Sequence, residues 1–293
     1  VLANLITSAG FTVTISTFLA ETTEPIQRIT ATNKPITIYP FDPITANDSF
    51  DVAILNNDLM NGDPIGIRQL SIPIVPPIYA GWHHRRKSQH FTLTNTYMTE
   101  LATQLSVDPW FFTTLFEVVE QVNIQDDSSR QKLYKKAVRL FDRIQAKYNE
   151  YGIDQSPFIF VKSDYGTYGM GVQVIENPDQ ILTLNRKRRN NLSKGKAAKP
   201  ITQLLLQEGV PSIEIVDNKV AETCLYTIAD QCIGGFYRLH DRKWERDNLN
   251  KNGMVFQRMT PLSSDRYPLS MLLAQVSNIA AAYELKALER HYV

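Results

Sequence analysis

The residues best placed to do chemistry stand between Phe158 and Gly171, in FIFVKSDYGTYGMG. An apolar stretch with strand texture ends in Lys162, and Gly166, Gly169 and Gly171 follow within nine residues. Glycines let backbone N–H groups approach an anion closely, and a lysine adds a point charge, so the pattern suits phosphate. It is neither the GxxxxGK[ST] of a P-loop nor the GxGxxG of a dinucleotide fold. A hairpin with a glycine-rich turn accounts for this segment equally well.

Two further segments carry polar groups of the right kind. LLLQEGVP runs an apolar strand into Gln207, Glu208, Gly209 and Val210. A strand-to-loop hinge can read an adenine edge with backbone groups, and the acid can hold a ribose hydroxyl. GGFYR ends in Arg238, and Asn248 and Asn250 follow about ten residues on. Arginine can clamp a phosphate or carboxylate, and asparagine can ligate Mg²⁺ or bond phosphate. A strand ending in a surface loop explains the same residues.

These segments need elements to hold them. The first ninety residues alternate short apolar runs (TVTIST, ITIYPF, FDVAILNNDL, IPIVPP) with turns, as expected of strands in an open, largely parallel α/β sheet. Residues 91–155 carry helical spacing, most clearly in SRQKLYKKAVRLFDRIQAKYNEYG. From 156 to 293 the texture is strands on short turns with a final amphipathic helix, an α+β domain. The fold class expected is therefore α/β plus α+β.

Composition sets the outer limits. A chain of 293 residues can hold two compact units, and 43% apolar with 21% charged residues is that of a globular protein. A net charge of +1 gives no general attraction to nucleic acid or anionic lipid. No apolar run approaches the ~20 residues of a spanning helix, and no signal peptide is evident. Cys224 and Cys232 lack metal-ligand spacing and read as reduced thiols of a cytoplasmic protein. The chain opens at Val1 inside what reads as a helix, so an upstream segment is expected.

The order of the parts is more specific than any one of them. ILNNDL, PPIYAGWHHRRKSQHF, FIFVKSDYGTYGMGV, LNRKRRNNLSKGK, QEGVP, GGFYRLH and DNLN together resemble the ATP-grasp glutamate–cysteine ligases of proteobacteria. The resemblance runs from about Phe50 to Leu288. It implies an ATP-grasp fold preceded by an open α/β domain, with residues 1–90, 91–155 and 156–293 as substrate domain, helical connector and nucleotide-binding domain. It also implies ATP and Mg²⁺, with L-glutamate and L-cysteine joined through an acyl phosphate in the first step of glutathione synthesis. No nucleic-acid or membrane partner is implied, and a homo-oligomer is compatible with it. Another ATP-grasp ligase, such as a glutathione synthetase, or a nucleotide-binding module without catalysis are the alternatives.

On this resemblance Lys87 and Lys162 contact the nucleotide, Gly166, Gly169 and Gly171 cover the γ-phosphate, and Gln207 to Val210 frame the adenine. Arg238, Asn248 and Asn250 face the transferring phosphoryl group or the substrate carboxylate. Independently of the resemblance, the charge of the basic run holding Arg188 and Arg189 with Lys194, Lys196 and Lys199 suits a mobile loop that closes over ATP or the two anionic substrates. Asn56, Asn57 and Asp58, at a strand end, are substrate candidates, since open sheets bind ligands there. Asp164 is the metal-ligand candidate. The resemblance places the other metal ligands, an Asp-x-Asn motif, in the upstream segment.

Overall fold

The computed structural model describes residues 2–19, 23–30, 33, 35–166, 171–193, 200–228, 231–240, 246, 248–250, 253–259 and 267–292. The chain divides into two compact units, residues 1–81 and 82–293.

In the first unit α1 (Leu2–Ser8) is followed by β1 (Ile15–Thr17), β2 (Ile26–Ile29) and β3 (Pro35–Pro40), in the order β1-β3-β2. The central strand β3 pairs with β1 in parallel and with β2 in antiparallel, so the expected parallel sheet is mixed here. α2 (Pro43–Ser49) starts where Asp42 accepts from the N–H groups of Ile44 and Thr45, an N-cap reinforced by proline at the first helical position. β4 (Ala53–Ile54) and β5 (Ile74–Val75) form a separate parallel pair. Leu55, Leu59 and Ile67 make the buried cluster of this unit.

The second unit is larger. It comprises α3 (Lys87–Gln104), β6 (Phe116–Val119), α4 (Asp127–Glu150), β7 (Ile159–Ser163), β8 (Gln173–Ile175), α5 (Arg186–Ser193), β9 (Leu204–Glu208), β10 (Glu214–Val216), β11 (Lys219–Ile228), β12 (Gln231–His240), β13 (Met254–Arg258) and α6 (Tyr267–Tyr292). One antiparallel sheet has the order β6-β9-β7-β8, and a second is the meander β10-β11-β12-β13. The expected wholly helical stretch over 91–155 is thus interrupted at Phe116–Val119. Val118 and Val119 favour a pleated conformation, and the backbone finds its partners in β9.

α4 is the helix the spacing predicts. Leu133, Ala137, Leu140, Ile144 and Tyr148 recur at three and four and are buried against the first sheet. The sheet answers with alternate residues: Val119, Ile159, Val161, Ile175, Leu204 and Leu206 join the same core. Fully burying each large side chain contributes roughly 1.5–3 kcal/mol, so this cluster dominates the stability of the unit. By the same alternation Phe160, Lys162, Leu205 and Gln207 point to the opposite face, which α4 does not cover. That is the face on which a site can form.

Candidate functional site

Lys162 lies on β7 and crosses to its neighbour strand, where Nζ donates to Gln207 Oε1. The register pairs Lys162 with Leu205, so Gln207 is the diagonal residue on the same face, within reach of a long side chain. The ammonium also stands 5.4 Å from the ring centroid of Phe91 on α3, and Phe91 packs against Phe116 at 5.7 Å. A lysine among rings and strands is poorly hydrated. Burial pushes its pKa down to about 8, against an opposing pull from Asp164.

The second cation comes from the first residue of α3. Lys87 Nζ donates to the carbonyls of Ser163 (3.1 Å) and Gly166 (2.9 Å), at the end of β7 and the start of the glycine turn. Its pKa is also lowered to about 8, first by burial, then by the charge of Lys162, with Asp164 opposing and Arg86 adding to the drop. Relative to the ordinary value of 10.5 this corresponds to roughly 3 kcal/mol against each charged lysine. An anion placed between them would remove that cost.

Asp164 holds this corner together. Its carboxylate is fully buried, and Oδ1 accepts from Ser88 N at 2.8 Å while Oδ2 accepts from Ser88 Oγ at 2.7 Å. Its carbonyl accepts from Lys87 N at 2.8 Å, and its own N–H donates to Gln203 O. It therefore caps α3 from the end of β7, with one hydrogen bond on each carboxylate oxygen. The structure gives Asp164 a capping role, and its role as metal ligand stays an expectation from the sequence. α3 needs such a partner: its N-cap residue Arg86 makes no side-chain cap bond, and its first turn carries no acid. Cations at a helix N-terminus oppose the helix dipole. The run Arg85-Arg86-Lys87 at a helix start was the signal in the sequence for a negative partner there. Arg86 is further braced over the Tyr165 ring at 5.0 Å.

The glycine turn and the hinge are only partly as expected. Gly166 and Gly171 adopt positive φ of 89° and 70°, and a Cβ on Gly171 would stand 2.8 Å from Asn191 O. Gly169 lies outside the described residues. At the hinge, Glu208 is 3% exposed, and its carboxylate accepts from Trp110 Nε1 (2.9 Å) and Leu115 N (3.1 Å). It shares strand parity with Leu204 and Leu206 and so points into the core, which corrects the ribose-binding expectation. Burial raises its pKa, with those two donors opposing. The N–H groups of Glu208 and Gly209 bond to Leu115 O and Phe158 O. Val210 is 70% exposed.

Arg238 lies on β12 opposite Glu222 of β11, and one guanidinium nitrogen reaches that carboxylate at 3.0 Å. Its Nε is buried without a hydrogen-bond partner among the described residues. Asn248 Oδ1 accepts from Asn250 N at 2.9 Å, and Asn248 Nδ2 is likewise buried with no partner among the described residues. Between described residues, no hydrogen bond or ion pair joins these three to Lys87 or Lys162.

Arg188 and Arg189 sit in a helix, not a loop. Arg188 Nε donates to Gln173 Oε1 at 3.0 Å, and Arg189 reaches Leu184 O and Gln125 Oε1, so both brace β8 and the turn before α5. Their assignment to a closing loop is corrected on that account, and Lys194, Lys196 and Lys199 lie outside the described residues. Within the first unit, Asn56 and Asn57 line a cavity of about 470 Å³. Asn57 accepts from Leu59 N, and Asp58 from Met60 N, so these two also shape the turn after β4. Cys224 and Cys232 are free thiols. No helix among the described residues is long and apolar enough to cross a membrane.

Comparison with known proteins follows from here. The sequence profile described as "GshA: Glutamate-cysteine ligase" matches residues 1–284. No curated protein matches the chain. Among solved structures 14 chains match. One is a "putative gamma-glutamylcysteine synthetase" from Methylobacillus flagellatus KT, with a TM-score of 0.87 and 32% identity over 98% of this chain and 72% of that one. Another is D-alanyl-alanine synthetase A from Vibrio cholerae O1 biovar eltor str. N16961, with a TM-score of 0.40 and 12% identity over 88% of this chain and 66% of that one. The second is too distant to support any inference.

Proposed function

The chain belongs to the GshA glutamate–cysteine ligase family of enzymes, and we propose that it performs this ligation with ATP, through an acyl phosphate, on the Lys87–Lys162 face of an ATP-grasp fold. The observation that carries the reading is the pair of half-buried lysines at one end of an apolar sheet face, Lys162 donating to Gln207 and Lys87 to the carbonyls of Ser163 and Gly166. Two such cations suit a polyphosphate, and the rings of Phe91 and Phe160 beside them suit a flat base.

In this reading the γ-carboxylate of glutamate attacks the γ-phosphorus of ATP, giving γ-glutamyl phosphate and ADP. The amine of cysteine then attacks the acyl carbon, loses its proton and expels inorganic phosphate. The protein forms no covalent bond in either step. Its work is positioning, charge neutralisation and exclusion of water. Lys162, released from Gln207, and Lys87 take the inner phosphates, and each regains the charge that burial disfavours. Gly166 and Gly171, both at positive φ, border the γ-phosphate. Gln207 to Val210 border the base, with Val210 its backbone reader, since the preceding two N–H groups are already bonded. Arg238 and Asn248, each with a buried donor that has no partner among the described residues, take the transferred phosphoryl group or a substrate carboxylate, with Asn250 beside them. Asn56, Asn57 and Asp58 contribute to amino-acid binding.

The lysine corner fits a nucleoside triphosphate, and Asp164 serves there as the cap of α3. No step is assigned to a metal through that residue.

Isotope transfer tests the acyl phosphate. Glutamate labelled with ¹⁸O in the γ-carboxylate should deliver one ¹⁸O to each phosphate released. Phosphate free of label would exclude this route.

A further inference from the structure

We propose that Glu284, on the last helix, is a positioning residue for the ligase reaction, which fixes the start of α3 so that Lys87 is presented to the nucleotide. The proposal rests on the reading of Lys87 as a phosphate-binding group.

Glu284 is 2% exposed, far from where a surface helix places a carboxylate. Its Oε1 accepts from Arg85 Nε at 2.9 Å and its Oε2 from the terminal nitrogen at 2.7 Å, a two-point clamp across 199 residues of sequence. Oε2 also lies 3.3 Å from His90 Nδ1, and His90 Nε2 lies 3.1 Å from Ser277 Oγ, two turns earlier on α6. Arg85 is held from its other side by stacking on Trp82 at 4.8 Å.

The two partners of Glu284, Arg85 and His90, flank Lys87 in sequence. Asp164 and Ser88 tie the same turn of α3 to β7. Glu284 supplies the second, opposed anchor, from α6. A helix start tied on one side can rotate about that tie, and one held on two sides cannot. Both backbone carbonyls that receive Lys87 Nζ belong to the β7 side. The angle of α3 therefore decides whether that ammonium stays beside Lys162. A buried clamp kept only for stability would be replaceable by apolar packing, and its location at this turn gives it a second use.

The test is a mutant cycle in the whole protein. Glu284→Gln keeps the shape and removes the charge. Glu284→Asp keeps the charge and shortens the reach, and serves if the first variant folds poorly. The account expects KM for ATP to rise five- to twentyfold in Glu284→Gln, with KM for glutamate and cysteine and kcat changed less than twofold, and a smaller rise in Glu284→Asp. Combined with Lys87→Ala, the glutamine change should add almost nothing, because both act through one group. A lowered melting temperature with unaltered KM for ATP, or effects that multiply in the double variant, would overturn the proposal. If Lys87→Ala alone left KM for ATP unchanged, the underlying reading of Lys87 would fail instead.

Discussion

Replacing Asp164 by asparagine separates two roles that the sequence could not tell apart. In the structure the carboxylate is a cap on α3, made by two bonds to Ser88, and also the negative charge that holds up the pKa of both lysines. Asparagine can keep both bonds, since its carbonyl accepts from Ser88 N and its amide donates to Ser88 Oγ. What is lost is charge. Loss of a capping charge at a helix start costs about 1 kcal/mol, or about 2–4 °C in melting temperature for a unit of this size. The lysines change more. With a pKa of about 8 each, they are mostly protonated at pH 7.5, and loss of the Asp164 charge lowers both further and leaves more of each neutral. Two such losses raise KM for ATP about tenfold at pH 7.5. Steady-state kinetics at pH 6.5 and 7.5, with a Mg²⁺ titration at each, should show the defect shrinking in acid and the Mg²⁺ half-saturation point unmoved. A tenfold rise in that half-saturation point, with KM for ATP and melting temperature unchanged, would refute the cap and support Asp164 as a metal ligand.

In the parent protein, affinity for ATP should fall as pH rises through about 8, where an ordinary lysine would keep its charge to about 10.5. Direct nucleotide titration between pH 6.5 and 9.5 checks this, and a flat profile contradicts it. The same lowered values mean that the unfolded chain binds more protons between pH 8 and 10.5, so these two groups make stability rise with pH in that window. Gly209→Ala should destabilise by about 1–3 kcal/mol or more, because its Cβ would stand 2.3 Å from the buried Phe158 ring; chemical denaturation measures it. Arg188→Gln should lower the melting temperature by a few degrees and leave KM for both amino acids within twofold, since its guanidinium serves Gln173.

Local signals in the chain carried much of the fold. The three-and-four spacing of Leu133, Ala137, Leu140 and Ile144 located α4, and the strand ending at Lys162 and the strand before Gly209 are where the apolar runs put them. Short elements were harder, because Phe116–Val119 sits in a run whose aromatic residues suit helix and strand alike, and its pairing with β9 is non-local. Among site residues, polar type alone did not fix the role. Glu208 and Asp164 looked like ligand groups because they are acids beside glycines, yet strand parity turns one into the core and a distant serine engages the other. Parity was legible for Glu208, two positions after Leu206. The Ser88 and Glu284 contacts were not, since each joins residues tens to hundreds of positions apart and depends on how the helices pack.

If Lys162 and Lys87 form the ATP site of this glutamate–cysteine ligase, loss of Lys162 must abolish turnover. Phosphate release should be followed with Mg·ATP and glutamate, with and without cysteine, beside Lys162→Ala. Release that needs both amino acids and falls by two orders of magnitude or more in the variant is the expected result. Release at the parent rate from Lys162→Ala, or none with any amino-acid pair despite nucleotide binding, would contradict it.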